Sequence, residues 1–264
     1  MSRIMLVGCG KMGGAMLDGW LKRGVAASDV LVIEPNAAVA AHPGLRVVKS
    51  PGEIPADFKP DVVLIAVKPQ KMDEAVPALA RYGDAVYLSI AAGRTHAYFA
   101  RVFGPKAAVV RSMPNTPAAV GRGITVAVAN AHVSAAQRQA CDALLAAVGE
   151  VVWTDDEATI DVVTAVSGGG PAYVFLLAEV MADAGVAAGL TRDLADRLAR
   201  ATVAGAGELL YRSKESPATL RENVTSPAGT TLAALQILRP DEGMPSLMRR
   251  AVAAAAARSR ELAG

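Results

Sequence analysis

The stretch Gly8-Cys9-Gly10-Lys11-Met12-Gly13 directly follows the apolar run Arg3-Ile4-Met5-Leu6-Val7. A bare GxGxxG is a weak signal. Here a strand-like run precedes it and an amphipathic helical pattern near 11–23 follows it, the context in which it opens a dinucleotide-binding βαβ unit. Gly8 then serves a tight turn, Gly10 lets a pyrophosphate approach the backbone, and Gly13 lets helix and strand pack closely. Lys11 and Met12 complete this cofactor-binding set. The phosphates would meet a helix N-terminus with free N–H groups. The plainer alternative is an ordinary Gly-rich strand–helix turn.

Glu34 ends the next apolar run, VLVIE (30–34). An acid there accepts from a ribose 2′-OH and repels a 2′-phosphate, which favours NAD. The following residues, EPNAA, also allow the side chain to turn away and leave Asn36 and backbone N–H groups to the cofactor. No Arg stands in the stretch 34–45 to clamp a phosphate.

Further β-branched runs follow at 45–48, 61–67, 85–90, 107–112, 124–129 and 150–153, with helical patterns near 70–80, 94–103 and 134–147 between them. Near-continuous apolar strands alternating with helices predict a parallel sheet covered on both faces, an α/β fold of Rossmann type. After Trp153 no convincing strand is found. Helices are expected near 157–166, 171–189, 192–211, 227–238 and 245–262, punctuated by prolines. Two domains are therefore expected, a dinucleotide-binding domain over 1–155 and an all-helical domain over 156–264.

The bulk numbers fit such a chain. With 264 residues, 52% hydrophobic, it can bury a large core. A net charge of +2 makes no electrostatic case for nucleic acid or a membrane surface. Two cysteines, Cys9 and Cys141, do not form a disulfide framework. The longest apolar run, 172–190, carries Glu179 and Asp183, costly at mid-membrane. The first residues read as a buried strand rather than a secretory leader. A soluble cytoplasmic protein without a membrane or nucleic-acid partner is expected.

Other stretches suit a ligand. Ala66-Val67-Lys68-Pro69-Gln70 stands at the carboxyl end of a strand, where ligands bind in open α/β sheets, and Lys68 could reach a ribose or phosphate. Ser112-Met113-Pro114-Asn115-Thr116-Pro117 is stiffened by two prolines, so the Asn115 amide is fixed to meet a nicotinamide or the substrate. Ser167-Gly168-Gly169-Gly170-Pro171-Ala172-Tyr173 interrupts a helical pattern, which suits close approach of a ligand or backbone. A strand-end lysine, a structural turn and a helix-packing kink are the respective alternatives.

Thr225-Ser226-Pro227-Ala228-Gly229-Thr230-Thr231 gathers four hydroxyls with no acid or base among them. Ser226 suits an N-cap and Pro227 the first helical position. Gly229, Thr230 and Thr231 would then offer free N–H groups to a carboxylate at a positive helix end. Thr231 would lie one turn in. Plain helix capping is the alternative. The three histidines, His42, His96 and His132, all precede this half, and Lys214 is the only lysine after residue 150. Alcohol oxidation needs a base. Reduction of a protonated imine does not.

The blocks GCGKMGGAM, IAVKPQ, SIAAG, VRSMPNTPAAVGRGIT, GGGPAYVF and VTSPAGTTLAALQIL resemble those of pyrroline-5-carboxylate reductase, in that family's order, from about residue 3 to 250. The resemblance implies reduction of L-1-pyrroline-5-carboxylate to L-proline with NADPH or NADH, the last step of proline synthesis. It implies a Rossmann domain and a helical domain that interlocks two subunits as a homodimer. The substrate pocket then lies at the subunit interface, and larger rings of dimers occur. By matching blocks, Ser226, Ala228, Gly229 and Thr230 would hold the substrate carboxylate. Thr231 would address the ring nitrogen as the catalytic residue. Met113, Pro114 and Asn115 would line the nicotinamide end. No metal is implied. Two departures stand out, Gly169 for a usual serine and Ala228 for a usual glycine. The second requires an allowed backbone angle, which a helical first turn would supply. A β-hydroxyacid dehydrogenase with a shifted base and a non-catalytic dinucleotide-binding module remain as alternatives.

Overall fold

The computed structural model describes residues 2–36 and 42–263. Residues 37–41, part of the stretch read for its lack of Arg, lie outside the described residues. The chain divides into two compact units, Met1–Gly168 with Ala255–Gly264, and Gly169–Ala254.

The first unit holds one eight-stranded sheet. Its strands are β1 (Ile4–Val7), β2 (Val30–Ile33), β3 (Arg46–Val48), β4 (Val62–Ile65), β5 (Val86–Ser89), β6 (Val109–Met113), β7 (Gly123–Ala129) and β8 (Gly149–Trp153). The spatial order is β3-β2-β1-β4-β5-β6-β7-β8. The first six strands pair in parallel, in the doubly wound order. Strand order reverses between β1 and β4, where Ile4 lies opposite both Val30 and Val62. The crevice beyond the carboxyl ends of those strands is the topological switch point.

One expectation is corrected. The sheet is not wholly parallel: β7 runs antiparallel to β6, with Met113 opposite Val126. The connection from Met113 to Gly123 contains only a short 3-10 turn, Thr116–Val120, too short for a parallel crossover.

Helices α1 (Lys11–Lys22), α2 (Met72–Ala75), α3 (His96–Phe103) and α4 (Ala135–Leu145) accompany the strands. Alternation along each strand feeds two cores. Ile4 and Leu6 join Trp20, Leu144 and Leu145 on one face. Met5 and Val7 join Tyr87, Phe99 and Leu79 on the other. The buried polar tips find partners: Trp20 Nε1 donates to the Leu144 carbonyl at 2.9 Å, and the Tyr87 hydroxyl to the Leu79 carbonyl at 2.9 Å. Arg111, buried on β6, pairs with Glu157, which also accepts the His96 N–H at 2.7 Å.

α5 (Thr159–Val163) leads into a π turn over Thr164–Gly168. The first unit is completed by the last turns of α10 (Met244–Ala263). There the Ser259 hydroxyl donates to Asp161 at 2.6 Å. The Leu262 carbonyl crowds Gly93, where an added Cβ would meet it at 3.0 Å.

The second unit contains α6 (Gly170–Ala187), α7 (Arg192–Arg212), α8 (Pro217–Asn223) and α9 (Thr230–Leu238). α6 and α7 pack through small residues: Ala182, Ala195 and Ala199 are buried, and a Cβ on Gly185 would meet Leu190 and Ala195. Little else is covered. Phe175 is 67% exposed and Leu209 67%. A helical layer this apolar on its outside is built to be covered by protein or lipid.

Candidate functional site

In the first unit the glycine loop follows β1 at the switch point. Gly8 has φ 89°, and a Cβ there would meet the Ala66 backbone at 3.0 Å and Val67 Cγ1 at 3.0 Å. A Cβ on Gly13 would lie 2.4 Å from the Gly8 carbonyl oxygen. Both positions are closed to a side chain by backbone. Gly10 differs: a Cβ there meets nothing within 4 Å. Gly10 is also the N-cap of α1 and brings no side-chain cap. The loop therefore leaves open space above the bare N–H groups of the first α1 turn, between Lys11, Met12 and Gly13.

Glu34 reaches across from the end of β2 to this loop. Its carboxylate accepts the Cys9 N–H at 2.8 Å and the Asn36 N–H at 3.0 Å. The Asn36 N–H is thus committed to Glu34 rather than left free for a ligand. Burial pushes the Cys9 thiol up to about 11, helped by the charges of Glu34 and Asp18.

β4 ends at Ile65, short of the expected strand, so Ala66, Val67, Lys68 and Pro69 form the loop beside Gly8. The Ala66 N–H bonds the Val7 carbonyl at 2.8 Å, which holds this loop to the end of β1. Lys68 is exposed.

β6 ends at Met113, followed by Pro114 and the buried Asn115. Asn115 Oδ1 accepts the Ile124 N–H at 3.0 Å, so one end of its amide pins the β6–β7 connection. Met113 packs against the π turn: a Cβ on Gly168 would lie 2.5 Å from Met113 Cε. Gly168 was expected to break a helix. Instead the helical run Thr159–Ala187 continues, and the glycine makes room for Met113. Pro171 is tolerated because it sits in the first turn of α6 after a π turn, where its missing N–H is not needed. At Gly168 the approaching atom is a methionine methyl, whereas a Cβ on Gly170 would meet nothing within 4 Å.

The second unit holds the hydroxyl-rich stretch, and here the local expectation is corrected. Ser226 is not the N-cap and Pro227 is not in the helix. α9 starts at Thr230 with Gly229 as N-cap. Ser226 to Gly229 form a turn closed by the Gly229 N–H on the Ser226 carbonyl at 3.1 Å. Pro227 and Ala228 are its central residues. Ala228 has φ 58°, the only positive value outside glycine among the described residues. Proline first and a left-handed residue second is the signature of a type II turn. The Gly229 N–H is therefore used, whereas Thr230 and Thr231 begin a helix with no side-chain cap. α3, α4, α7 and α8 by contrast are each capped by a Ser or Thr side chain. The Thr225 hydroxyl is spent on the Arg221 carbonyl at 2.6 Å. Ser226 Oγ lies beneath Gly229, 2.3 Å from where a Cβ would be, so a side chain at 229 would force the Ser226 hydroxyl to rotate away.

The family comparisons bear on both units. The model for pyrroline-5-carboxylate reductase dimerisation matches residues 157–262, and that for NADP oxidoreductase, coenzyme F420-dependent, matches residues 3–93. A pyrroline-5-carboxylate reductase of Pseudomonas aeruginosa is 43% identical, covering 99% of this chain and 97% of that protein. One from Synechocystis is 40% identical, covering 95% and 96%. The solved pyrroline-5-carboxylate reductase of Coxiella burnetii superimposes with a TM-score of 0.91 at 30% identity, covering 100% of this chain and 99% of that one. The Plasmodium falciparum pyrroline carboxylate reductase, solved with NADP bound, gives 0.84 at 27% identity, covering 100% and 98%. With an open glycine loop at the switch point, a dimerisation segment in the helical half and near-full-length identity of 43%, the chain belongs to the pyrroline-5-carboxylate reductase family.

Proposed function

We propose that the N-terminal turn of α9 holds the substrate carboxylate and that Thr231 addresses the ring nitrogen of the imine. The reaction is the family's: L-1-pyrroline-5-carboxylate is reduced to L-proline with NAD(P)H, the final step of proline biosynthesis. The observation that carries the assignment is the uncapped start of α9, set by a closed turn that fixes where its N–H groups point.

NAD(P)H supplies the hydride, which ends on the imine carbon. Gly8, Gly10, Lys11, Met12 and Gly13 would hold the pyrophosphate, and the bare α1 N-terminus with space above Gly10 suits that anion. Glu34 and Asn36 would face the adenosine ribose, and Ala66, Val67, Lys68 and Pro69 would line the crevice. Met113, Pro114 and Asn115 would border the nicotinamide, with Met113 seated on Gly168 and Asn115 held through Ile124.

Ser226, Ala228, Gly229 and Thr230 shape the carboxylate site. Ser226 and Gly229 close the turn, Ala228 supplies its left-handed corner, and Thr230 and Thr231 begin the helix whose positive end faces the anion. The Thr231 hydroxyl keeps the ring nitrogen oriented, and the proton that nitrogen retains comes from solvent. No histidine or lysine is needed, because a protonated imine accepts hydride directly. Orientation of this kind is worth roughly 7–11 kcal/mol when the geometry is good.

The chain self-associates through its helical half, the segment matched by the dimerisation model. The run Thr159–Ala187 is long and apolar enough to cross a membrane. Asp161, Glu179 and Asp183 within it favour coverage by a second copy of the chain, as a cytoplasmic homodimer that can assemble into a ring of dimers.

Steady-state reduction of pyrroline-5-carboxylate with each nicotinamide cofactor tests the reading. Turnover to proline is expected. No turnover with either cofactor, or oxidation of hydroxy acids instead, would overturn it.

A further inference from the structure

We infer that Glu34 makes this enzyme discriminate against the 2′-phosphate, so that NADH is its preferred cofactor. The inference rests on the cofactor site proposed above.

Glu34 is not a carboxylate waving at a strand end. Two backbone N–H groups, from Cys9 at 2.8 Å and Asn36 at 3.0 Å, fix it across the glycine loop. It is only half-exposed. A carboxylate has about four acceptor positions, so two remain for a ribose hydroxyl. A hydroxyl can donate to them. A phosphate monoester, carrying about −1.5 to −2 charge near neutrality, cannot, and meets a fixed negative charge instead.

The stretch that follows Glu34 brings no compensating lysine or arginine in its sequence: residues 34–45 contain none. His42 is the one base in that stretch, and its Nε2 lies 3.4 Å from Asp18. Asp18 is thus a second carboxylate near the loop, and its charge reaches the Cys9 thiol along with that of Glu34. Turning Glu34 away to admit a phosphate would strip an acceptor from two N–H groups at once.

The test measures binding as well as turnover. Dissociation constants for NADH and NADPH are obtained from cofactor fluorescence, alongside kcat/KM for each. The wild-type protein is expected to favour NADH by roughly ten-fold or more in both readouts. Glu34→Gln keeps one acceptor oxygen but removes the charge, and should tighten NADPH selectively. Asn36→Arg leaves the clamp intact and adds a cation, and should also tighten NADPH. A wild-type enzyme that binds NADPH as tightly as NADH would overturn the inference. So would a Glu34→Gln variant that weakens both cofactors equally, since Glu34 would then only brace the loop. Turnover with a preference for NADPH would sink this inference and leave the reaction standing. Absence of turnover with both would sink the reaction.

Discussion

Ala228 gives a prediction whose size follows from one backbone angle. An L-residue in the left-handed region costs about 1–2 kcal/mol through the approach of its Cβ to the following carbonyl. Ala228, at φ 58°, carries that cost. Glycine would remove it, but adds about 0.4–1 kcal/mol of freedom to the unfolded chain. Ala228→Gly should therefore stabilise the folded state by about 0.5–1 kcal/mol. For a chain of 264 residues this is a rise in Tm of roughly 1–2 °C. Asparagine, which tolerates this region, should fall between glycine and alanine. Valine should be worst, since a β-branched side chain is a true outlier at positive φ. Thermal unfolding of the wild type and the three variants is compared at one protein concentration, because self-association makes Tm concentration-dependent. The expected order is Gly, Asn, Ala, Val. If glycine were the least stable and valine equalled alanine, Ala228 would be in a helical turn and the type II assignment would be wrong.

Two glycines of the same motif should behave differently. Gly10→Ala should fold normally, since a Cβ there meets nothing within 4 Å, yet weaken NAD(P)H binding; Gly13→Ala should lose stability, because its Cβ would lie 2.4 Å from a carbonyl oxygen. Calorimetry with cofactor titration separates them, and equal loss of stability in both would refute the contrast. Thr231→Ala should lower kcat by roughly 10- to 1,000-fold while leaving the NAD(P)H dissociation constant unchanged. Full activity in that variant would remove Thr231 from the mechanism. The Cys9 thiol, pushed up to about 11, stays protonated at pH 8. Its alkylation by iodoacetamide should run roughly 100-fold slower than that of a free thiol, and mass spectrometry showing an ordinary rate would contradict the burial described.

Most of the eight strands were legible because buried strands are short unbroken β-branched runs between turn signals, although β3 and β8 are only partly covered. What such runs lack is direction. Ile124 to Ala129 looks the same whichever way it pairs, and the antiparallel step at β7 had to be read from the short linker before it. α8 was missed although Ser216 and Pro217 form a good N-cap and first position. Seven residues offer too little periodicity to register. The local geometry of the hydroxyl-rich stretch was not legible in its residue types. Ser226-Pro227 fits a helix start or a turn equally well, and only the positive φ of the next residue decides between them. The Glu34 clamp on Cys9 joins residues 25 apart in sequence, and no local pattern announces it.

The chain leaves the sheet unit at Gly168 and re-enters it at Ala255, so the helical unit is an insertion rather than an appendage. Cutting the chain near residue 155 or 168 would therefore not liberate an intact nucleotide-binding half. It would discard Ser259, which bonds Asp161, and Leu262, which seats against Gly93. A separable sheet unit needs Ala255–Gly264 retained along with residues 1–168. Conversely, the boundary at Ala255 falls inside α10, so any exchange of the insert divides the final helix between host and cassette.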